Sequence, residues 1–128
     1  MRHRPAPSPE SALTRRVAKL EQLQPGPWIA VTGGVGFSGA WVDFSAALAV
    51  EYSQGPYGTV WISGAAKNGV IGTTVFVMPT GYRPKKDMHF ACYSNAAFGG
   101  FVVQTDGQVV SVAGSNAMFA LNCCFRAA

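Results

Sequence analysis

The sequence predicts an all-β protein, a jelly-roll-like antiparallel β-sandwich preceded by a short N-terminal α-helix. Beyond Trp28, short runs of β-branched and aromatic residues alternate with glycine- and proline-containing turns, the pattern of a sandwich or jelly roll. Two apolar runs meet at Asp106-Gly107, which favours a two-residue hairpin. Before residue 25, by contrast, apolar residues recur at helical spacing. These observations divide the chain into an extended basic arm at residues 1–8, a helical coiled-coil stalk at residues 9–24 and a β-sandwich domain at residues 28–128.

The stalk segment has recognisable start and stop signals. Prolines within the first seven residues favour an extended arm. Ser8 can cap a helix, Pro9 suits its first turn, and Glu10 complements the helix dipole. The helix is expected to end before Pro25-Gly26-Pro27, because the residue preceding a proline avoids the helical conformation.

Leu13, Val17 and Leu20 follow the spacing of a coiled-coil seam. Separations of four and three residues place these side chains on one side of the helix. We expect the seam to hold copies of the chain together as a short oligomeric stalk. The alternative is an amphipathic helix whose apolar side packs on the chain's own β domain.

Charge is sparse and uneven along the chain. Charged residues make up 12% of the 128 residues and apolar residues 48%, so we expect other subunits to cover part of the surface. Residues 1–24 are basic, and we expect them to dock on an acidic protein surface. The docking candidates are Arg2, Arg4, Arg15 and Arg16. Nucleic acid is the less favoured partner, because no aromatic residue accompanies these cations.

Nine strands are expected in the β domain, at residues 28–32, 41–44, 47–53, 58–67, 73–78, 88–94, 98–105, 108–113 and 117–126. The alanine-rich stretch at residues 40–50 could be helical instead. In the last strand, alternate residues form one apolar face that we expect to meet the core. These residues are Phe119, Leu121, Cys123 and Phe125.

Cys92, Cys123 and Cys124 do not indicate a disulfide framework, since their number is odd and two are adjacent. We expect buried free thiols, which fits assembly in a reducing cytoplasm. No segment reaches the length of a membrane span, so membrane insertion is not expected.

Residues 33–39 have the glycine spacing of a dinucleotide-binding loop, and Tyr82 and Lys86 have the Tyr-x-x-x-Lys spacing of short-chain dehydrogenases. Such a loop must open a helix whose N-terminus holds the pyrophosphate, and the residues that follow are a poor helix start. Pro84 disfavours the helix that would align Tyr82 with Lys86. No base is placed near a nucleophile. We therefore expect no enzymatic activity, no cofactor and no metal site.

The segments from residue 75 onward carry a family resemblance. The strand-like run Val75-Phe76-Val77-Met78 leads into Pro79-Thr80-Gly81-Tyr82-Arg83-Pro84, followed by the Asp106-Gly107 turn and a final alternating run. This order resembles the small β-sandwich at the C-terminal ends of bacteriophage tail-fibre and receptor-binding proteins. The resemblance covers residues 49–126, and Met78 stands where the family usually has leucine.

The resemblance implies a homotrimer on the virion, with an N-terminal stalk and a knob that meets a host-surface glycan. The partners would be the chain itself and other virion proteins of the tail or capsid. Exposed aromatic and basic side chains suit sugar binding, and the candidates are Tyr57, Tyr82, Arg83 and Lys85. Tyr52 and Trp61 are expected to pack in the sandwich or the trimer interface instead. The alternative function is a capsid decoration protein that stabilises the particle and binds no host ligand.

Overall fold

A computed structural model describes residues 9–22 and 26–128 of the chain. Helix α1 spans Pro9–Gln22, so the predicted helix is confirmed over that range; Ser8 and residues 23–25 lie outside the described residues. A 3-10 turn occupies Pro56–Gly58. The strands in the described part are β1 (Ile29–Ala30), β2 (Val42–Asp43), β3 (Glu51–Gln54), β4 (Thr59–Ser63), β5 (Ala65–Lys67), β6 (Thr74–Val77), β7 (Met88–Ser94), β8 (Ala97–Val103), β9 (Gln108–Ala113), β10 (Phe119–Ala120) and β11 (Cys123–Arg126).

The strands form three sheets in which the neighbours pair antiparallel. The first sheet has the order β1-β3-β4-β11, the second β10-β5-β2, and the third β6-β9-β8-β7. The prediction of an all-β, antiparallel protein with one short helix is confirmed. The alanine-rich stretch at residues 40–50 contains β2 and turns rather than a helix.

The first and second sheets are two halves of one bent surface. The single strand predicted at residues 58–67 is wrong, because Gly64 separates β4 from β5 with a φ of +111° that glycine tolerates. The strand predicted at residues 117–126 is also divided, into β10 and β11, and the break at Leu121 and Asn122 lies opposite Gly64. Gly64 accepts a hydrogen bond from the Leu121 N–H at 2.8 Å and donates its own N–H to Asn122 Oδ1 at 3.0 Å. This exchange keeps the backbone paired across the bend.

One apolar core draws on all three sheets. Phe119 lies near its centre, with ring centroids 5.8 Å from Trp41 and 6.3 Å from Phe101. Phe119 is fully buried, as are Leu121 and most of Phe125, which confirms the predicted core face of the last strand. The remaining large buried side chains are Val31, Val50, Tyr52, Val60, Ile62, Val75, Phe76, Met78, Val103 and Val109.

The hairpin predicted at Asp106-Gly107 is present, but its loop has three residues rather than two. Gln104 donates its N–H to the Gln108 carbonyl at 2.9 Å and accepts one from the Gly107 N–H at 2.9 Å. Gly107 has a φ of +90°, the left-handed residue that closes a three-residue hairpin. The pKa of the Asp106 carboxyl is lowered chiefly by the hydrogen bond from the Gln108 backbone N–H, and next by the hydrogen bond from the Gln108 side chain.

The glycine-rich segment at residues 33–39 lies between β1 and β2 and forms turns, and β2 follows it where a nucleotide-binding loop would begin a helix. Phe37 forms an isolated bridge with Phe76 of β6, so this segment reaches the third sheet. The segment therefore links the first sheet to the second along the chain and contacts the third.

All three cysteines are free. Cys92 and Cys123 are half-buried, whereas Cys124 is exposed, so the prediction of buried thiols is wrong for Cys124. The cause is strand alternation, which turns Cys124 to the outer face of β11 when Cys123 turns inward.

Candidate functional site

The apolar seam of α1 lies on the outside of the protein. Leu13 is 61% exposed, Val17 44% and Leu20 60%. Leu13 and Val17 line a shallow groove of about 310 Å³ together with Thr14 and Ala18. Every side chain from residue 9 to 20 is exposed. The β domain therefore does not cover the seam, contrary to the alternative in which α1 packs on its own domain.

The predicted docking cations are only partly described. Arg15 and Arg16 lie on α1, both exposed and both outside the positions of the seam. Arg2 and Arg4 lie outside the described residues. Docking through the basic arm stays a prediction.

Two of the predicted ligand-binding residues belong to a corner at residues 79–84, which fastens the sheets to one another. Arg83 donates its Nε–H to the Met78 carbonyl at 3.0 Å, and Met78 donates its own N–H to the Gly107 carbonyl at 2.7 Å. The Arg83 carbonyl accepts the N–H of Ala128 at 2.8 Å. Arg83 therefore serves the fold by joining β6, the β8–β9 hairpin and the C-terminal tail.

Tyr82 has a similar scaffold position. Its ring packs edge-on against Tyr52, with centroids 5.3 Å apart and planes at 80°. Beside this pair, Gln54 donates its Nε2–H to the Gly81 carbonyl at 3.0 Å. Tyr52 is 3% exposed, as expected from the sequence, and burial, followed by the nearby Tyr82 phenol, raises its pKa. The corner thereby connects the third sheet to β3 of the first.

Tyr57 and Lys85 remain open to solvent. Tyr57 is 77% exposed and has a φ of +65°, in the 3-10 turn before β4. Its neighbour Gly58 accepts the Ala127 N–H at 2.8 Å. Because the same C-terminal tail also contacts Arg83, the structure brings all four predicted ligand-binding residues to one end of the β domain.

Gly26, the first described residue after α1, also lies at that end. It donates its N–H to the Gln54 carbonyl at 2.9 Å. We call this the Gly26 end. The opposite end carries other loops, joined by the hydrogen bond from the Asn68 N–H to the Asn116 carbonyl at 2.9 Å. The four predicted residues thus lie at the Gly26 end of the β domain.

Exposed aromatic side chains occur on both outer sheet faces. Trp28 is 52% exposed and Trp61 46% on the first sheet, while Tyr93 is 55% and Phe98 74% exposed on the third. Trp61 is therefore outside the core of its own chain, and sequence reasoning did not select Trp28. The alternation of β1 and β4 was the available signal, since it turns these indoles away from the core-facing Ile29 and Ile62.

Within residues 9–22 and 26–128, no group of three or more His, Cys, Asp or Glu side chains is arranged to hold a metal ion. No helix in this part of the chain is both long enough and apolar enough to cross a membrane.

No family model, no curated protein and no solved structure matches this chain.

Proposed function

We propose that this chain is the subunit of a homotrimeric bacteriophage surface spike, in which α1 forms the stalk and a jelly-roll-like β domain is displayed for attachment to a host-surface glycan. The observation that carries the proposal is the exposure of Leu13 and Val17 on the seam of α1. The virion setting and the number of three chains come from the resemblance of residues 49–126 to tail-fibre domains.

Leu13 and Val17 on the seam are apolar side chains that a second helix could cover. A helix of 14 residues is marginally stable alone in water, and tertiary or quaternary packing must stabilise it. Complete burial of a leucine or valine side chain contributes about 1.5–3 kcal/mol. Since roughly half of each seam side chain is exposed, covering Leu13, Val17 and Leu20 would contribute about 3 kcal/mol per chain. Self-association supplies that cover without another protein.

The stalk also explains why a weak ligand site would suffice. Three β domains on one axis present three linked sites, and linkage raises the effective concentration of the second and third sites. Low-affinity sugar contacts then combine into stable attachment. The basic arm, including Arg15 and Arg16, would dock on the particle at the other end of the stalk.

Analytical ultracentrifugation at micromolar concentration tests the oligomer. We expect a mass of about three times 13.5 kDa for the full chain. Val17 at an a position with leucines at d positions also occurs in two-stranded coils, so a dimer mass would overturn the trimer. A monomer would overturn the stalk itself.

A matched pair of variants locates the contact. Replacing Leu13, Val17 and Leu20 with glutamine keeps helix propensity but removes the seam, and should give monomers. Replacing Arg15 and Arg16 with glutamine is the control, and should leave the mass unchanged. Assembly that survives the seam variant contradicts the coiled-coil seam. Cryo-electron microscopy of the particle then places the chain: density at a tail tip supports attachment, whereas density on the capsid lattice supports decoration instead.

A further inference from the structure

Two tryptophans lie on the outer face of the first sheet, with β3 between them. Trp61 on β4 pairs with Ser53 on β3 on one side and with Cys124 on β11 on the other. The pairing of Ile29 with Tyr52, continued by one residue, places Trp28 opposite Ser53. We call Trp28, Ser53, Trp61 and Cys124 the tryptophan row. Trp28 and Trp61 are two strand spacings apart, which is about 10 Å.

Ser53 lies between the two indoles in the order of the strands, and its side chain is covered by its neighbours. Ser53 is only 2% exposed, and its Oγ donates a hydrogen bond to the Gly26 carbonyl at 2.9 Å. Trp28 and Trp61 are each about half exposed on either side of it. A Cβ atom built on Gly55 would lie 3.8 Å from Nε1 of Trp61, so the turn after β3 is next to this indole. The row therefore presents two half-exposed indoles on a face whose strands are hydrogen-bonded to one another.

Polar side chains surround the row. Thr59 and Ser63 lie two residues before and two residues after Trp61 on β4, so they share its face. Thr59 pairs with Arg126 of β11, and Ser63 pairs with Glu51 of β3. Both charge signs are present, so the face does not select a strongly charged ligand. The polar residues on this outer face are Glu51, Thr59, Ser63, Asn122 and Arg126.

This combination matches the chemistry of a sugar chain. One face of a pyranose ring presents C–H bonds, which are attracted to the negative face of an aromatic ring. The ring hydroxyls need hydrogen-bond donors and acceptors at the edge of the row. Indoles about 10 Å apart are separated by roughly the length of two linked pyranose rings. A folded protein partner would need a larger continuous apolar area.

The outer face of the third sheet is a useful contrast. Tyr93, Phe98 and Val112 are exposed there beside a groove of about 280 Å³. His89 is the one polar side chain among the residues that line this groove. This groove thus offers aromatic surface with a single polar side chain for the hydroxyls of a sugar.

We propose that the tryptophan row binds a linear, uncharged oligosaccharide, with Trp28 and Trp61 stacking on alternate sugar rings. The site deepens the proposed function, because it rests on attachment through a glycan, and it replaces Tyr57, Tyr82, Arg83 and Lys85 as the place of contact. Tyr57 borders the row through the turn that contains Gly55 but is not needed for it.

Titration with hexasaccharides tests the site on the full chain. We would use the β-1,4-linked hexamers of glucose and of N-acetylglucosamine, with isothermal calorimetry and tryptophan fluorescence. Trp41 is 2% exposed, so changes in fluorescence report mainly the two tryptophans of the row. We expect at least one hexamer to bind, and Trp61→Ala and Trp28→Ala each to weaken binding about tenfold. Trp61→Phe, which keeps an aromatic face, should recover part of the affinity.

Phe98→Ala is the matched control, because it removes an exposed aromatic ring from the other sheet. It should bind like the wild type, and the melting temperatures should show that all variants fold. Binding that survives both tryptophan substitutions overturns the row but leaves glycan attachment standing. Failure of the wild type to bind either hexamer also overturns the row. A loss of trimer mass in Trp61→Ala would overturn it as well, by identifying this face as a contact between copies, whereas the seam variants test the stalk separately.

Discussion

Replacing Gly107 with alanine tests how the corner holds the β domain together. Gly107 closes the β8–β9 hairpin with a φ of +90°. A Cβ atom there would overlap the Met78 carbonyl and lie 2.6 Å from Arg83 Nε. The substitution therefore acts on the backbone of the turn and on the hydrogen bond between Arg83 and Met78 at once.

The two effects differ in size. Holding a non-glycine residue in the left-handed region costs about 1 kcal/mol. Losing a hydrogen bond from a charged donor to a partly buried carbonyl costs about 1.5–3 kcal/mol. Together these costs predict that Gly107→Ala lowers the free energy of unfolding by about 3 kcal/mol. For a chain of 128 residues this corresponds to a fall in Tm of roughly 10 °C.

Gly72→Ala separates these effects. Gly72 has a φ of +95°, close to that of Gly107, but no heavy atom lies within 4 Å of the position of its Cβ. Gly72→Ala should therefore lower the free energy of unfolding only by the cost of the left-handed backbone, which is about 1 kcal/mol, or roughly 3 °C in Tm. Scanning calorimetry of both variants and the wild type measures the difference. Equal losses in the two variants would show that the corner is not tightly packed and would refute the role assigned to Arg83.

Two further predictions concern buried groups. Ser94→Ala removes the Oγ that accepts the Ser115 N–H at 2.8 Å and donates to the Met118 carbonyl at 2.8 Å, so the free energy of unfolding in urea should fall by about 1–3 kcal/mol. Ser115→Ala removes only an exposed hydrogen bond with the Ala117 N–H, so it should cost less, on the order of 0.5 kcal/mol. Equal losses would contradict the buried role of Ser94. Burial, with a smaller effect of the Cys124 charge, raises the pKa of the Cys123 thiol from 9.0 to about 12. The unfolded chain then releases this proton first, so the free energy of unfolding should fall as pH rises from about 9 toward 12, and Cys123→Ala should flatten that part of the pH–stability curve. An unchanged slope would mean that Cys123 is accessible in the folded protein.

The sequence predicted those features that depend on neighbours along the chain. Alternation identified the core face of the last strand, and the Asp106-Gly107 pair identified the hairpin. The spacing of Leu13, Val17 and Leu20 identified a one-sided helix, since side chains three and four residues apart share a face. Each of these signals is contained within a few residues.

The length of the hairpin loop and the break in the long strands could not be predicted from such local signals. A glycine next to an aspartate fits loops of two or three residues, and the position of Gln104 relative to Gln108 decides between them. Gly64 interrupts one strand where a Cβ atom would overlap the backbone of Ala49 and Val50, and its own backbone is hydrogen-bonded to Leu121 and Asn122. These contacts join residues far apart in the sequence.

The features of the candidate site also fall into those set by the local sequence and those set by the tertiary structure. The amino-acid sequence by itself determined an all-β domain with a short amphipathic helix, because periodicity and turn chemistry are local. The tertiary structure alone decided that Tyr82 and Arg83 fasten a corner at the Gly26 end, and that Trp28 and Trp61 share one outer face. Both outcomes depend on strand register and sheet order, which are fixed by packing between segments that are distant in the chain.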